Sequence, residues 1–362
     1  MHSFSTDPRL IPIEEKVGSG IRLDAADGLT LYQSHDIITI GRLADSMRRK
    51  RHGNKAFFVY NQHVNYTNGC INHCRFCAFS RSKGEDGAYA MTLDDVAEKL
   101  LARIDEPIRE IHMVGGINPD LPFPYYLDLL KTIRKIRPEA AIKAFTAVEI
   151  DHFAKISGLS LEDTIETLKD AGLQMVPGGG AEVLSSRVHD QLFPRKIGHD
   201  RWLEVVKKIH EAGLTSNATM LYGHIETIEE RVAHLMLLRS LQDQTGGFTA
   251  FIPLAFHSKN TRLSHLPATT AHDDLKAVSV ARLMLDNFDH IKAYWVMIGE
   301  KLAQIALNFG ADDLDGTIIE EKITHMAGAT SSKGLTRESI QDMIRSGGFE
   351  PVERDSFYRE II

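Results

Sequence analysis

Two spacings of apolar residues alternate along the chain. Short runs rich in β-branched and aromatic residues fall at 110–114, 141–148, 173–176, 216–222, 249–256 and 290–297. Between them lie longer stretches at 93–104, 125–136, 161–171, 201–212 and 228–242, with apolar residues three and four apart. That is the period of a helix with one buried face. The stretch 55–66 (KAFFVYNQHVNY) is also β-rich; a strand at 64–67 makes seven, and 316–319 offers a short eighth. Strands alternating with amphipathic helices imply a parallel sheet with right-handed crossovers. Eight such units close an α/β barrel of the TIM (βα)8 type. A doubly wound sheet ranks second, because no early strand leads into G-x-G-x-x-G.

Ahead of the barrel, 8–52 reads as helical, with a break at Gly28 and with Ile37, Ile40, Leu43 and Met47 at helical spacing. The basic run Arg48-Arg49-Lys50-Arg51 reads as a solvated helix C-terminus, which the helix dipole favours. Beyond the barrel, helices are expected at 299–309 and 336–345, around an acidic loop of Asp312, Asp313 and Asp315. The expected division is a helical N-terminal extension at 1–54, a barrel at 55–320 and a C-terminal α/β extension at 321–362, packed on the barrel.

Composition narrows the function only by exclusion. A net charge of −7 over 362 residues gives no electrostatic footprint for nucleic acid. No run of about 18 apolar residues predicts a membrane helix. Residues 1–15 lack the basic-then-apolar pattern of a leader, so no membrane partner is expected. The three cysteines are unpaired by number, which suits a reducing cytoplasm. The oligomeric state stays open.

Those three cysteines carry the sharpest signal. Cys70, Cys74 and Cys77 form C-x3-C-x2-C inside one loop directly after the first barrel strand. Zinc asks for four ligands, and a disulfide framework asks for an even count. His73 is a poor fourth zinc ligand, because it sits beside Cys74. Three thiolates suit a [4Fe-4S] cluster with three irons held and the fourth open. In a barrel the functional loops follow strand C-termini, and the unusual sequences fall there. Gly115-Gly116-Ile117-Asn118 follows the second strand, and Glu149 ends the third. Pro177-Gly178-Gly179-Gly180-Ala181-Glu182 follows the fourth, Gly223-His224-Ile225-Glu226 the fifth and His257 the sixth.

The cysteine loop, with Phe76 just before its last cysteine, resembles that of the radical S-adenosylmethionine (SAM) superfamily. The resemblance implies a radical SAM barrel, with SAM chelated to the open iron and cleaved by one electron to methionine and a 5'-deoxyadenosyl radical. Gly115 and Gly116 would expose backbone to the amino group of SAM, where side chains would obstruct it. Ile117 stands where the familiar Gly-Gly-Glu has its acid, so no carboxylate role attaches there. Tyr222 and Ile225 resemble the glycine motif that stacks on adenine. Glu182 would accept the ribose hydroxyls, with Arg195 or Lys196 facing the SAM carboxylate. Each also has a plain reading. The glycine pair serves as a turn, Glu182 as a helix cap, Arg195 as a surface residue, and the 222–226 segment as a strand end and cap.

Wider segments extend the resemblance, among them HMVGGINPDLPF at 112–123, KAFTAVEI at 143–150, NATMLYGHIET at 217–227 and KAYW at 292–295. Over roughly 55–330 they resemble the aminodeoxyfutalosine synthase family of menaquinone biosynthesis. The implied reaction adds the radical to the enol ether of 3-[(1-carboxyvinyl)oxy]benzoate. Rearrangement and loss of bicarbonate then give 6-amino-6-deoxyfutalosine and methionine, so SAM is a co-substrate. The alternatives are the cyclic dehypoxanthine futalosine synthases and the deazaflavin (F0) synthases. A non-catalytic iron–sulfur electron carrier is the reading from another class; such carriers usually use four cysteines. The reaction implies an electron donor such as flavodoxin or ferredoxin. Asn118, Glu149 and His224 are the candidate substrate contacts, with His73, Arg75, Arg81, His257 and Arg262 as further loop donors.

Overall fold

The β-rich stretch at 55–66 splits at Tyr60 into two strands with different partners, β1 (Lys55–Val59) and β2 (Asn61–Val64). The structure is a computed structural model that describes residues 5–361; the first four residues of the expected N-terminal extension lie outside it. From β2 a seven-stranded parallel sheet continues in chain order through β3 (Glu110–Met113), β4 (Ala141–Ala144), β5 (Met175–Val176), β6 (Thr215–Tyr222), β7 (Phe248–Ala255) and β8 (His290–Ile291). Helices cross over between successive strands, as parallel pairing requires.

The eighth position is filled by β9 (Asp313–Gly316), which begins three residues before the expected strand. Its join to the barrel is slight. Single parallel bridges link Lys292 to Asp313 on one side and Gln62 to Ile319 on the other. The paired strand of β9 is β1, which in turn pairs with β10 (Glu350–Arg354) from Lys55–Glu350 to Val59–Arg354. A small three-stranded sheet, β10-β1-β9, therefore lies across the seam of the barrel.

Four sequence expectations are corrected here. The strand expected at 141–148 stops at Ala144, because Thr146 caps a helix, Ala147–Ser157, in a reciprocal capping box with Glu149. The strand expected at 290–297 ends at Ile291, and a short helix, Trp295–Ile298, follows. Gly28 is no break. It lies inside the helix Ala25–Gln33, where a Cβ would stand 3.1 Å from Met284 and Val232, and the breaks fall on either side of that helix, at 19–24 and 34–36. The basic run at 48–51 is only partly solvated: Arg48 is buried and donates to the Gly53 carbonyl at 2.9 Å.

The barrel interior below the strand C-termini is ionic. Lys143 Nζ stands 3.2 Å from both oxygens of Glu110, Lys292 is 2.9 Å from Asp315, and Arg354 is 2.6 Å from Asp313. All six side chains are buried. Burial pushes the Glu110 carboxyl up, but attraction from Lys143, then His112 and Lys292, outweighs it and holds the group well below the usual carboxylate range. The apolar core lies between the sheet and its surrounding helices. No helix among the described residues is long and apolar enough to cross a membrane.

Candidate active site

The cysteine loop leaves β2 and is stitched to the loop after β3. Gly116 N donates to Thr67 O at 3.0 Å, and Ile71 N donates to Ile117 O at 3.0 Å. Within the loop Cys70 N donates to Arg81 O, and Cys77 N to Cys74 O. This contact explains the glycine pair differently from the sequence reading. A Cβ on Gly116 would lie 2.2 Å from the Gly69 carbonyl oxygen, and one on Gly115 would lie 2.6 Å from the Tyr66 ring. The pair lets two loops touch, besides lining the cavity. Gly116→Ala should therefore lower iron content together with SAM affinity. Iron analysis beside a SAM titration checks this; full iron with weak SAM binding would restore the simpler obstruction reading.

Cys70, Cys74 and Cys77 are free thiols that line one cavity. Among the described residues, only His52, His290 and Asp312 bring three ligand atoms within 4.8 Å of one another. Burial pushes the Cys70 thiol up and the Cys74 thiol up to about 12. Ionising Cys74 alone is unfavourable, so an iron cluster that compensates the thiolate fits the site.

Beside the cysteines lies a charged and aromatic group. Lys196 Nζ is 2.5 Å from Glu182 Oε1 and 5.4 Å from the centroids of Phe76 and Phe193. Burial would lower the Lys196 ammonium, but Glu182 and Cys74 overcome it and hold Lys196 firmly protonated. Glu182 takes φ +48°, a left-handed conformation that costs a residue with a side chain roughly 1–2 kcal/mol. It does not cap the next helix; Ser185 does. Of the two cations named from the sequence, Lys196 lines the cavity. Arg195 is exposed and donates to the Ile71 carbonyl at 3.3 Å.

Several other predicted site residues are occupied elsewhere. Glu149 lines the cavity, yet Oε1 accepts from Tyr66 Oη (2.6 Å) and Gly115 N (3.1 Å), and Oε2 from Thr146 N and Oγ1. Its geometry ties the glycine loop to the next helix. Asn118 stands behind the wall, donating to Thr67 Oγ1 at 3.0 Å and accepting from Asp120 N. Tyr222, His224 and Ile225 are absent from the cavity lining. Tyr222 Oη donates to Asp274 at 2.8 Å, under the cation of Arg231. His224 is buried against Glu226, whose carboxylate also accepts from Gly223 N and His224 N.

Strand parity accounts for these placements. Side chains alternate across a strand, and on β6 the cavity takes Asn217, Thr219 and Leu221. Tyr222, one residue on, faces the helix Ala271–Met284, which carries Asp274. On β7 the same rule selects Ile252 and Leu254, then Phe256 just past the strand. Counting by twos from a known lining residue would have found them. No such signal marked His63, His112, Tyr294 or Asp315, which also line the cavity. Of the loop donors His73, Arg75, Arg81, His257 and Arg262, only His257 lines it, with Nε2 donating to Met297 O at 2.8 Å. The cavity holds about 340 Å³, a size that buries a small ligand.

Comparison with known proteins places this site in a class. Residues 64–238 match the radical SAM superfamily, and residues 245–361 match the family described as the CofH/MqnC C-terminal region. A methylornithine synthase structure superposes with a TM-score of 0.75 at 17% identity, covering 94% of this chain and 97% of that one, which shows the shared fold. The aminodeoxyfutalosine synthase of Thermus thermophilus is 47% identical over 98% of this chain and 96% of its own. A cyclic dehypoxanthine futalosine synthase from Streptomyces coelicolor is 34% identical over 98% of this chain and 89% of its own. The chain belongs to the radical SAM superfamily and, within it, to the aminodeoxyfutalosine synthase family. It is an enzyme.

Proposed function

We propose that this enzyme joins the 5'-deoxyadenosyl group of SAM to the enol ether carbon of 3-[(1-carboxyvinyl)oxy]benzoate. The products are 6-amino-6-deoxyfutalosine, methionine and bicarbonate. The observation that carries this reading is the near-full-length identity to a synthase of that name, well above the identity to the cyclising relative. Cys70, Cys74 and Cys77 hold the cluster in this reading. When bound, the cluster supplies the single electron that splits SAM. The backbone of Gly115 and Gly116 meets the amino group of SAM, and Glu182, oriented by Lys196, meets the ribose. Leu221 and Phe76, both cavity-lining, supply apolar surface for the cofactor.

The protein has three tasks in such a reaction. It keeps water from a primary alkyl radical, which the apolar wall of Val114, Val148, Ile252 and Leu254 serves. It holds the alkene about 3–3.5 Å from the 5' carbon. It receives two carboxylates on donors within the cavity. We assign the reaction to the cytoplasm, with a flavodoxin or ferredoxin as electron source, in keeping with three unpaired cysteines.

The test is isotopic. SAM labelled in its ribose, incubated anaerobically with reductant and the enolpyruvyl benzoate, should place its label in a covalent aryl nucleoside, with one methionine per product. Label found only in free 5'-deoxyadenosine would mean hydrogen abstraction, the behaviour of the cyclising alternative.

A further inference from the structure

The electron that the proposed reaction consumes has to enter from outside, and the cysteine loop reaches the surface. Ile71, next to Cys70, is 43% exposed. Arg75, next to Cys74, is exposed as well. Two further arginines are fastened to the same loop. Arg195 Nη1 donates to the Ile71 carbonyl at 3.3 Å, and Arg262 N donates to the Arg75 carbonyl at 3.0 Å. Both side chains are exposed.

Charge sets this face apart. The chain has 49 acidic residues in 362, yet the three segments that meet here, 67–81, 191–199 and 254–272, contain no Asp or Glu. Asp190 and Asp200, which flank the second segment, stand 3.0 and 3.2 Å from His189 and His199. Exposed arginines elsewhere, such as Arg9, Arg22, Arg49 and Arg187, have a carboxylate at 2.5–2.7 Å. Among the described residues Arg75, Arg195 and Arg262 have no carboxylate partner; the first two donate only to carbonyls. A protein of net charge −7 thus turns an uncompensated cationic face outward at the cysteine loop. Exposed charges add little to stability. They do steer an anionic partner and fix its orientation.

We propose that Arg75, Arg195 and Arg262, with Ile71 among them, form the docking face for a small acidic one-electron carrier protein. This deepens the activity proposed above and rests on its cluster assignment. A carrier seated here lies one residue from Cys70 and one from Cys74. One electron leaves the reduced carrier, which is oxidised by one step. It passes by way of the cluster to SAM, whose C5'–S bond then breaks. No proton or other group crosses the interface. Contacts between redox partners are small and weak, which suits a carrier that must leave after each electron.

The test uses the cluster-loaded enzyme with an acidic flavodoxin as probe. Calorimetry with oxidised flavodoxin measures binding without electron transfer. The wild-type Kd should weaken steeply from about 20 to about 200 mM salt; a flat salt response overturns the proposal. Arg262→Glu is the cleanest variant, because the guanidinium has no hydrogen bond or ion pair within the described chain. It should weaken flavodoxin binding about 3- to 10-fold and slow flavodoxin-driven SAM cleavage at low carrier concentration. Arg262→Lys should keep both. Arg345→Glu, the same charge change on the helix Arg337–Ser346, should leave the Kd within about twofold. Iron content and dithionite-driven cleavage should match the wild type in all three. Adding Arg75→Gln and Arg195→Gln to Arg262→Glu should weaken binding further. A triple variant that binds flavodoxin as the wild type does overturns the docking face and leaves the activity standing. An equal fall in dithionite-driven and flavodoxin-driven cleavage also overturns it, since the arginines would then serve the site itself. A cluster-loaded wild type that cleaves no SAM under dithionite overturns both proposals together.

Discussion

Cys74→Ala should yield a folded protein with almost no iron and no detectable reductive cleavage of SAM. The chain has three cysteines and all three lie in the loop, so no spare thiol can take the vacant place. Cys74 is the most buried of them, and alanine offers no sulfur in its place. The same loss is expected for Cys70→Ala and Cys77→Ala. Anaerobic reconstitution, iron and sulfide analysis and methionine release measure it. Circular dichroism should show the fold retained, because the loop is also fastened by backbone bonds such as Cys70 N to Arg81 O and Ile71 N to Ile117 O. Full cleavage by any one of the three variants would sink the cluster assignment.

Lys143→Met should cost about 3–5 kcal/mol of stability, because it leaves the Glu110 carboxylate buried without its main counter-charge. Both side chains are almost wholly buried, so solvent screens little of the loss. The pH dependence has a definite sign. In the wild type the folded Glu110 ionises more readily than an unfolded glutamate, so its contribution is present above pH ~4.3 and fades as pH falls through the lower folded value. In the variant, burial dominates and Glu110 binds a proton more readily. The gap between wild type and variant should therefore be widest near neutrality and shrink toward pH ~4–5. Thermal melts across that range check it. Replacing both partners, as Glu110→Leu with Lys143→Met, should recover much of the loss; a double variant no better than the single one would show that the pair is not the unit.

Reading the sequence reached the fold class and the cysteine loop for one reason: both depend on spacing. Seven of the strands fall at or within a few residues of where periodicity puts them. The stretch 141–148 went astray because Ala-Phe-Thr-Ala-Val fits a buried strand as well as the start of a capped helix, and only the Thr146–Glu149 box separates the two. The upper cavity was legible as loops but not as side chains. Glycine motifs mark where the chain turns, and they do not say that Tyr222 faces Asp274 while Leu221 faces the cavity. That choice needs the parity of β6, set by its register with β5 and β7. Lys196 and Arg195 differ by one position, and only the turn after Phe193 decides which cation reaches Glu182. His63 and His112 belong to strands of unremarkable composition, and nothing short of the three-dimensional stack brings them together.

The seam of the barrel has a consequence for the order in which this chain can mature. The cysteine loop is made early in synthesis, soon after β1. The strand that pairs with β1 along its whole length is made roughly 300 residues later. Against the barrel itself β9 has only single bridges; its ladder is to β1, whose other edge waits for β10. A ribosome-bound chain can form the helices and the early strand pairs, but it cannot lock the ring. Long-range closure of this kind is paid for in loop entropy before it returns any contacts, which makes it a late step. Iron delivered during translation would meet an open, solvent-filled ring in which Cys74 is not yet buried. Glu321, Ile323, Thr324 and Ala327, synthesised long after the cysteines, line the same cavity, so loading has its natural window before this segment docks.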